Sequence, residues 1–174
     1  MGIKRIRNAI VKGLYKHLGM IPIPLEDLQK KEEYPYLTYN FINPYTQFRG
    51  QGNEYRELVP STDERFEFDV EETLKLEPQA TISINAYSRE KLEAQETAKR
   101  AMDWFLYEGY QYLADNNIVV VNVEASGDRT VQIIDFYEHR VGFDVIIRFA
   151  DELKRRYETI ETVKVETEIK EVLR

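Results

Sequence analysis

Alternating apolar and polar positions over residues 79–88 predict the strand around which the chain is organised. A period of two places the apolar side chains on one face of a strand. Pro78 stands at its start, where a strand tolerates proline, and Ser88 is placed to cap a following helix. The apolar face consists of Ala80, Ile82, Ile84 and Ala86.

After Ser88 the apolar spacing becomes helical, which predicts a helix over residues 89–113 that lays one stripe on the sheet. The stripe consists of Ala94, Ala98, Ala101, Met102, Phe105 and Tyr110. The same spacing predicts a second helix over residues 3–18, and Gly19 is expected to end it. Its stripe consists of Ile3, Ile6, Ile10, Leu14 and Leu18.

Further strands are predicted at residues 36–43, 65–70, 118–123, 131–136 and 140–149. The β-branched run at 118–123 is typical of a strand covered on both faces. Gly142 marks a bulge or a place of close packing. The strand at 65–70 is expected to pair with the strand from Gln79 as a hairpin, and residues 151–157 are expected to form a short helical turn.

Together these elements predict one α+β domain over residues 1–174, with a mostly antiparallel sheet and two main helices packed on one face. A peripheral strand is predicted around residues 160–170, where apolar positions from Val163 to Ile169 alternate with charged ones. A strand at a chain end pairs either in cis or with a neighbouring subunit's sheet. The predicted core contains Ile82, Ile84, Met102, Phe105, Val119, Val121, Phe143 and Val145.

Residues 44–63 are rich in turn-forming residues and predict a long loop or loose hairpin. Aromatic and arginine side chains stand among them, which is unusual for a disordered linker. They either fold back on the core or form an interface arm, because Tyr and Arg are enriched at the centres of protein contacts. The candidate subunit-interface residues are Tyr45, Phe48, Arg49, Tyr55 and Arg56.

Charge is distributed unevenly along the chain. The net charge is −7, yet residues 1–25 carry +5 and no acid, so the remainder carries −12. A solvated helix face is one interpretation of the basic cluster, and a contact surface for another subunit or for DNA is the other. The candidate basic contact surface consists of Lys4, Arg5, Arg7, Lys12 and Lys16.

Composition and motifs exclude several classes of site. Cysteine is absent, which excludes disulfides and thiolate metal sites. His17 and His139 are far apart in the sequence, and neither a phosphate loop, a dinucleotide fingerprint nor a nucleophile elbow occurs. No apolar run approaches the roughly 20 residues of a membrane helix. We therefore expect no catalytic residue, no metal, no cofactor and no membrane partner.

The strongest enzyme alternative rests on the acidic row Glu67, Asp69 and Glu71. Alternating carboxylates on one strand face bind Mg²⁺ in some nucleases, and Lys75 would then stabilise the attacking water or the phosphate. Alternating acids also keep a solvated edge strand from aggregating. The solvated strand is the preferred interpretation, and the Mg²⁺-dependent nuclease or hydrolase is the alternative.

Three stretches carry a family resemblance: Tyr34–Phe41, the strand Gln79–Ser88 with the following helix that contains Trp104 and Phe105, and Tyr137–Val145. Together they resemble the neck or tail terminator proteins of tailed bacteriophages and of phage-like prophage elements. The resemblance spans roughly residues 30–165, most of the chain, and its motifs are structural rather than catalytic.

The resemblance implies a tail-terminator-like fold and a structural virion protein without enzymatic activity, made in the host bacterial cytoplasm. Such proteins assemble as a homohexameric ring that caps the tail tube, stops its polymerisation and offers a surface to the head–tail connector proteins. Genomic DNA would pass through the lumen without specific binding, since repelling acidic charge prevents phosphate contacts. Another structural tail component, such as a tube or baseplate subunit, is the second alternative.

Overall fold

A computed structural model describes residues 2–27, 33–47, 50, 52–133 and 136–158, with only the backbone at 131–133 and 136–137. The chain forms two compact units. The first comprises Met1–Gly52 and Lys75–Glu152, and the second comprises Asn53–Leu74 and Leu153–Arg174. Both units belong to one α+β chain, mostly antiparallel in its strand pairing, so the predicted fold class is confirmed. The single-domain interpretation stays a prediction.

The strands of the larger sheet are β1 (Ile23–Pro24), β2 (Tyr36–Thr46), β5 (Gln79–Ser88), β6 (Ile118–Val123), β7 (Gly127–Asp128), β8 (Val131–Ile133) and β9 (Phe136–Phe149). Their order in the sheet is β1-β2-β5-β9-β6, and β7 and β8 also pair with β9. Among the described pairings of this sheet, the short β1 alone runs parallel to its neighbour, β2. The predicted central strand β5 lies between β2 and β9.

Strand register explains the core. Ile84 stands opposite Tyr39 on β2 and Phe143 on β9, so the apolar positions of three strands share one face. Helix α1 (Ile3–Leu18) and helix α2 (Lys91–Asp103) bury their stripes in the same cluster. The fully buried members include Ile6, Leu14, Leu37, Ile82, Ile84, Ala94, Ala101, Phe143, Val145 and Ile147.

The helix predicted over residues 89–113 is interrupted in the structure. After α2, a π-helical turn spans Trp104–Glu108 and helix α3 spans Tyr110–Asp115. Ser88 is not the N-cap, because the cap position is Glu90. Ser88 instead ends β5, and its hydroxyl accepts a hydrogen bond from the Glu90 amide at 3.1 Å.

The smaller sheet differs most from the prediction. Its strands are β3 (Asn53–Pro60), β4 (Phe68–Leu76) and β10 (Asp151–Glu158), in the order β10-β4-β3. The expected hairpin between β4 and β5 is wrong, because β4 pairs with β3 and β10 instead. The expected helical turn at 151–157 is the strand β10, and much of the expected loop at 44–63 is strand.

Two predicted core residues are not buried. Val119 and Val121 are 47% and 48% exposed, because β6 is the last strand of its sheet rather than a covered one. Met102 is partly buried against the core, and Phe105 is buried as predicted. The predicted strand around residues 160–170 lies outside the described residues.

Candidate functional site

The face of the larger sheet opposite the helices carries a network of polar side chains, which we call the polar cluster: Ser83, Asn85, Arg129, Arg140 and Asp144. Arg129 donates to Ser83 Oγ at 2.8 Å, to Asn85 Oδ1 at 3.1 Å and to Asp144 Oδ1 at 3.1 Å. Arg140 Nε donates to the same Asn85 oxygen at 3.1 Å. Buried polar groups need such partners, so the network fixes these side chains in place.

Gly142 makes room for the polar cluster. It stands opposite Asn85 in the register of β5 and β9. A Cβ atom at this position would lie 2.2 Å from Asn85 Oδ1, 2.8 Å from the Ile84 carbonyl oxygen and 3.0 Å from Arg129 Nη1. The close packing expected at this glycine is therefore present, and only glycine lets the arginine and the amide lie against the sheet.

Beside the polar cluster, three tyrosines and two arginines form what we call the tyrosine stack: Tyr34, Tyr36, Tyr87, Arg89 and Arg140. The Tyr36 and Tyr87 rings are parallel within 7°, with centroids 4.8 Å apart, and Tyr34 lies 5.5 Å from Tyr36. The guanidinium of Arg89 lies 5.5 Å from the Tyr34 ring, and that of Arg140 lies 5.5 Å from the Tyr87 ring. Such contacts stabilise by about 0.5–1.5 kcal/mol each.

Glu138 holds two members of the tyrosine stack. The Tyr34 hydroxyl donates to Glu138 Oε1 at 2.5 Å, and the Tyr36 hydroxyl donates to the same oxygen at 3.0 Å. Burial, followed by the hydrogen bond to Glu138, raises the pKa of Tyr34 to about 12, and the same causes raise the pKa of Tyr36 further. Both hydroxyls therefore remain protonated donors at neutral pH.

The three stretches that carry the resemblance meet in this region. Tyr34 and Tyr36 belong to the first stretch, Asn85 to the second, and Glu138 and Gly142 to the third. Tyr36 and Tyr87 are buried, so the tyrosine stack mainly packs this end of the sheet, and Arg89 at its edge is the exposed member. Sequence analysis did not predict the tyrosine stack, nor Arg129.

The predicted basic contact surface lies on α1. Lys4, Arg5, Arg7, Lys12 and Lys16 are all exposed, and within the described part of the chain none of them forms an ion pair. Lys16 Nζ lies 5.8 Å from the centre of the Tyr112 ring. These cations lie off the buried stripe of α1 and face the solvent, so they are available to a partner of negative charge.

The predicted subunit-interface residues fall in both units. Tyr45 is 44% exposed at the end of β2, and its hydroxyl donates to Asp151 Oδ2 at 3.2 Å. Tyr55 is 54% exposed on β3. Arg56 is bound to Glu54 and Glu72 on its own sheet. Phe48 and Arg49 lie outside the described residues.

Two members of the acidic row, Asp69 and Glu71, lie on β4 and form ion pairs with basic residues of β10, whereas Glu67 precedes the strand. Arg156 Nε binds Asp69 Oδ2 at 2.7 Å, and Lys154 Nζ binds Glu71 Oε1 at 2.6 Å. Hydrogen bonds from Ser61 and then from Arg156 lower the pKa of Asp69. The hydrogen bond from Lys154 lowers the pKa of Glu71. The prediction of a solvated row is wrong for Asp69, which is only 5% exposed.

Glu72 adds further ion pairs on the other face of β4. Its carboxylate binds Arg155, and it accepts a hydrogen bond from Arg56 Nε at 3.0 Å. Burial alone would raise the pKa of Glu72, but Arg56 and Arg155 outweigh it and lower the pKa. Among the residues that the structure describes, no group of three or more His, Asp or Glu side chains is placed to hold a metal ion. The arrangement favours a structural role for these acids.

No helix within the described ranges is long and apolar enough to cross a membrane. A family model described as "Phage neck terminator protein" matches residues 8–172, nearly the whole chain. Among curated proteins, no relative matches the chain. The family is one of structural proteins rather than enzymes, and its name places its members in the neck of the virion, where the tail meets the head.

Proposed function

Because the chain belongs to the phage neck terminator family, we propose that it caps the head-proximal end of a phage or phage-like tail tube as a closed ring. The ring ends tube polymerisation and provides the surface to which the head joins. The observation that carries this proposal is the family match over residues 8–172. The matched range includes all three stretches that carry the resemblance.

The proposed partners are further copies of the chain, which together form a homohexamer, the tail tube protein and the head–tail connector proteins. Genomic DNA passes through the lumen without specific binding, because residues 26–174 carry a net charge of −12 and acidic side chains that line the lumen would repel the phosphates. The protein is made in the host cytoplasm and ends in the virion neck. The ion-paired Asp69 and Glu71 speak against the nuclease alternative, since their charge is already compensated.

Mixing the purified protein with tail tubes tests the proposal. A terminator is expected to appear at one end of each tube in negative-stain images and to stop at a closed ring in light scattering. A head-to-tail contact closes into a ring only when its rotation permits, and otherwise continues as a filament. Filaments of unlimited length would favour the tube-subunit alternative.

Reversing Lys4, Arg5 and Arg7 to glutamate is expected to weaken docking, because the exposed cations of α1 lose their attraction for an acidic partner surface. The loss should be largest at low salt, where the Debye length is longest. The fold should survive, since these side chains lie off the buried stripe of the helix. Binding to tubes by co-sedimentation across a salt series measures the effect.

The matched control reverses Lys91, Lys99 and Arg100 to glutamate, which changes the net charge equally on the exposed face of α2. Equal loss of docking by both variants would show that net charge matters and that the surface of α1 does not.

Residues 44–58 are proposed as an interface arm that gains order on assembly. Strand β3 is an edge strand, and its described side chains are almost all exposed. Its outward amides should therefore exchange quickly in the isolated subunit and slowly in the ring. Hydrogen exchange of both forms measures this difference. Strong protection in both forms would show that the segment is part of the core.

A further inference from the structure

An apolar groove runs between the helical segment that follows Asp103 and strand β6. It has a volume of about 330 Å³ and is lined by Phe105, Leu106, Tyr110, Leu113, Val119 and Val121. Phe105 and Leu113 are buried, whereas Leu106 and Tyr110 are 60% and 71% exposed. Large apolar side chains gathered in one groove at this exposure are typical of a contact site.

The π-helical turn shapes this groove. It spans Trp104–Glu108, and it buries Trp104 and Phe105 while it turns Leu106 and Tyr107 outward. Single π-helical turns inside helices are frequent at functional sites. Of these outward side chains, Leu106 lines the groove beside the last strand of the sheet.

The groove also contains an open sheet edge. Strand β6 is the last in the order of its sheet, so its outer backbone groups have no strand partner among the described residues. Open edges are normally protected by charge, by proline or by a bulge. Strand β6 has one bulge, between Val120 and Asn122, but contains neither a charged residue nor proline. Such an edge favours the addition of a strand.

We propose that this edge binds residues 163–169 of a neighbouring copy as an added strand. The described chain ends in β10 at Glu158, and residues 159–174 follow. Seven residues in a strand span roughly 23 Å, which matches the length of β6 within one residue. The segment alternates apolar and polar side chains, as an amphipathic strand requires: Val163, Lys164, Val165, Glu166, Thr167, Glu168 and Ile169.

An added strand would lie about 4.8 Å beyond β6, with every second side chain on the helix-covered side. Val165 and its apolar neighbours would cover Leu106 and Tyr110, and Glu166 would lie on the other side, beside Val119 or Val121. The apolar half of this segment therefore complements the helix-covered side of the groove, and its polar half lies on the side open to solvent.

The inference rests on the proposed function, because a ring needs a contact that is not self-complementary. In such a contact each copy gives one surface and receives another. This chain carries both halves, a receiving edge on β6 and an amphipathic segment at its end. Exchange of the segment between neighbours then links each copy to the next around the ring.

Cysteine cross-linking tests the inference directly, because the chain contains no cysteine. Chains with Val119→Cys or Val121→Cys are mixed with chains that carry Glu166→Cys under mild oxidation. The substituted valines are about half exposed, so the variants should fold, and fluorescence of the single tryptophan verifies this. Neighbouring strands bring Cα atoms into the distance range of a disulfide.

We expect disulfide-linked pairs of chains in the mixture, and ladders of linked chains when both cysteines are on one chain. The control pairs Glu166→Cys with Glu96→Cys, an exposed position on α2. Cross-linking no faster than this control would overturn the inference, and so would a purely intrachain disulfide in the double variant.

The two proposals fail in distinguishable ways. If the native chain caps tail tubes but the cysteine pairs do not link, only the strand exchange is wrong. If the pairs link but the native chain neither caps tubes nor closes into rings, the copies exchange strands and the terminator function is wrong.

Discussion

Replacing Ile84 with alanine is expected to lower the free energy of unfolding by about 2–5 kcal/mol, because a large buried side chain leaves a cavity when it is truncated. Ile84 is fully buried on the central strand between Tyr39 and Phe143. In a chain of this size such a loss corresponds to a fall in melting temperature of roughly 4–20 °C. Thermal unfolding followed by circular dichroism measures the fall.

Val119→Ala is the matched control for Ile84→Ala. The sequence pattern predicts Val119 as a core residue, whereas the structure leaves it 47% exposed at the sheet edge. Substitutions at such positions usually change stability by less than about 0.5 kcal/mol. A near-neutral Ile84→Ala, or a Val119→Ala with an equal loss, would contradict the described position of the core.

Gly142→Ala is expected to destabilise the protein by about 1–3 kcal/mol, because the added methyl group overpacks the polar cluster. The nearest atoms include the Ile84 carbonyl oxygen, which belongs to the backbone of the central strand and cannot turn away. Asn85 would have to move as well, and its hydrogen bonds from Arg129 and Arg140 would then break. Denaturant unfolding gives the change in free energy.

Gly127→Ala is the control for this substitution. Gly127 is the cross-strand partner of Gly142 on β7, and a Cβ atom there meets nothing within 4 Å. The free energy of unfolding of the Gly127→Ala variant should therefore stay within about 0.5 kcal/mol of the native value. If both alanines cost the same, the loss comes from the backbone of the strand and not from contact with the polar cluster.

The central part of the fold could be predicted because each of its strands has two different faces. On β5 the apolar residues pack under the helices, and Ser83 and Asn85 lie on the other side with polar partners. A period of two survives in the sequence even though both faces are buried. Helix α1 could be predicted equally well, since its apolar stripe is continuous in the sequence. Gly19 ends the helix as predicted, in the left-handed conformation.

The position of β6 could not be predicted from its composition. A β-branched run looks the same in a strand that is covered by its own chain and in an edge strand that awaits a partner. The sequence therefore places Val119 and Val121 in the core, although the structure exposes them.

The ion-paired sheet was missed because its pairing is distant in the sequence. Asp69 and Arg156 are 87 positions apart, and the largely charged residues of β10 show no alternation of apolar and polar positions that would predict a strand. Arg129 was missed for a related reason, since a single arginine after a turn carries no local pattern. Gly142 was the one indication of close packing at the polar cluster, but it did not reveal which side chain packs there.

The length of tails assembled without this protein tests the account most directly. If the chain ends tube polymerisation and joins the head, particles from which it is deleted should carry tails of irregular length that do not attach to heads. Electron microscopy of such particles gives the length distribution and the fraction joined to heads. Tails of normal, uniform length that still join heads would contradict the proposed terminator function, whatever oligomer the protein forms.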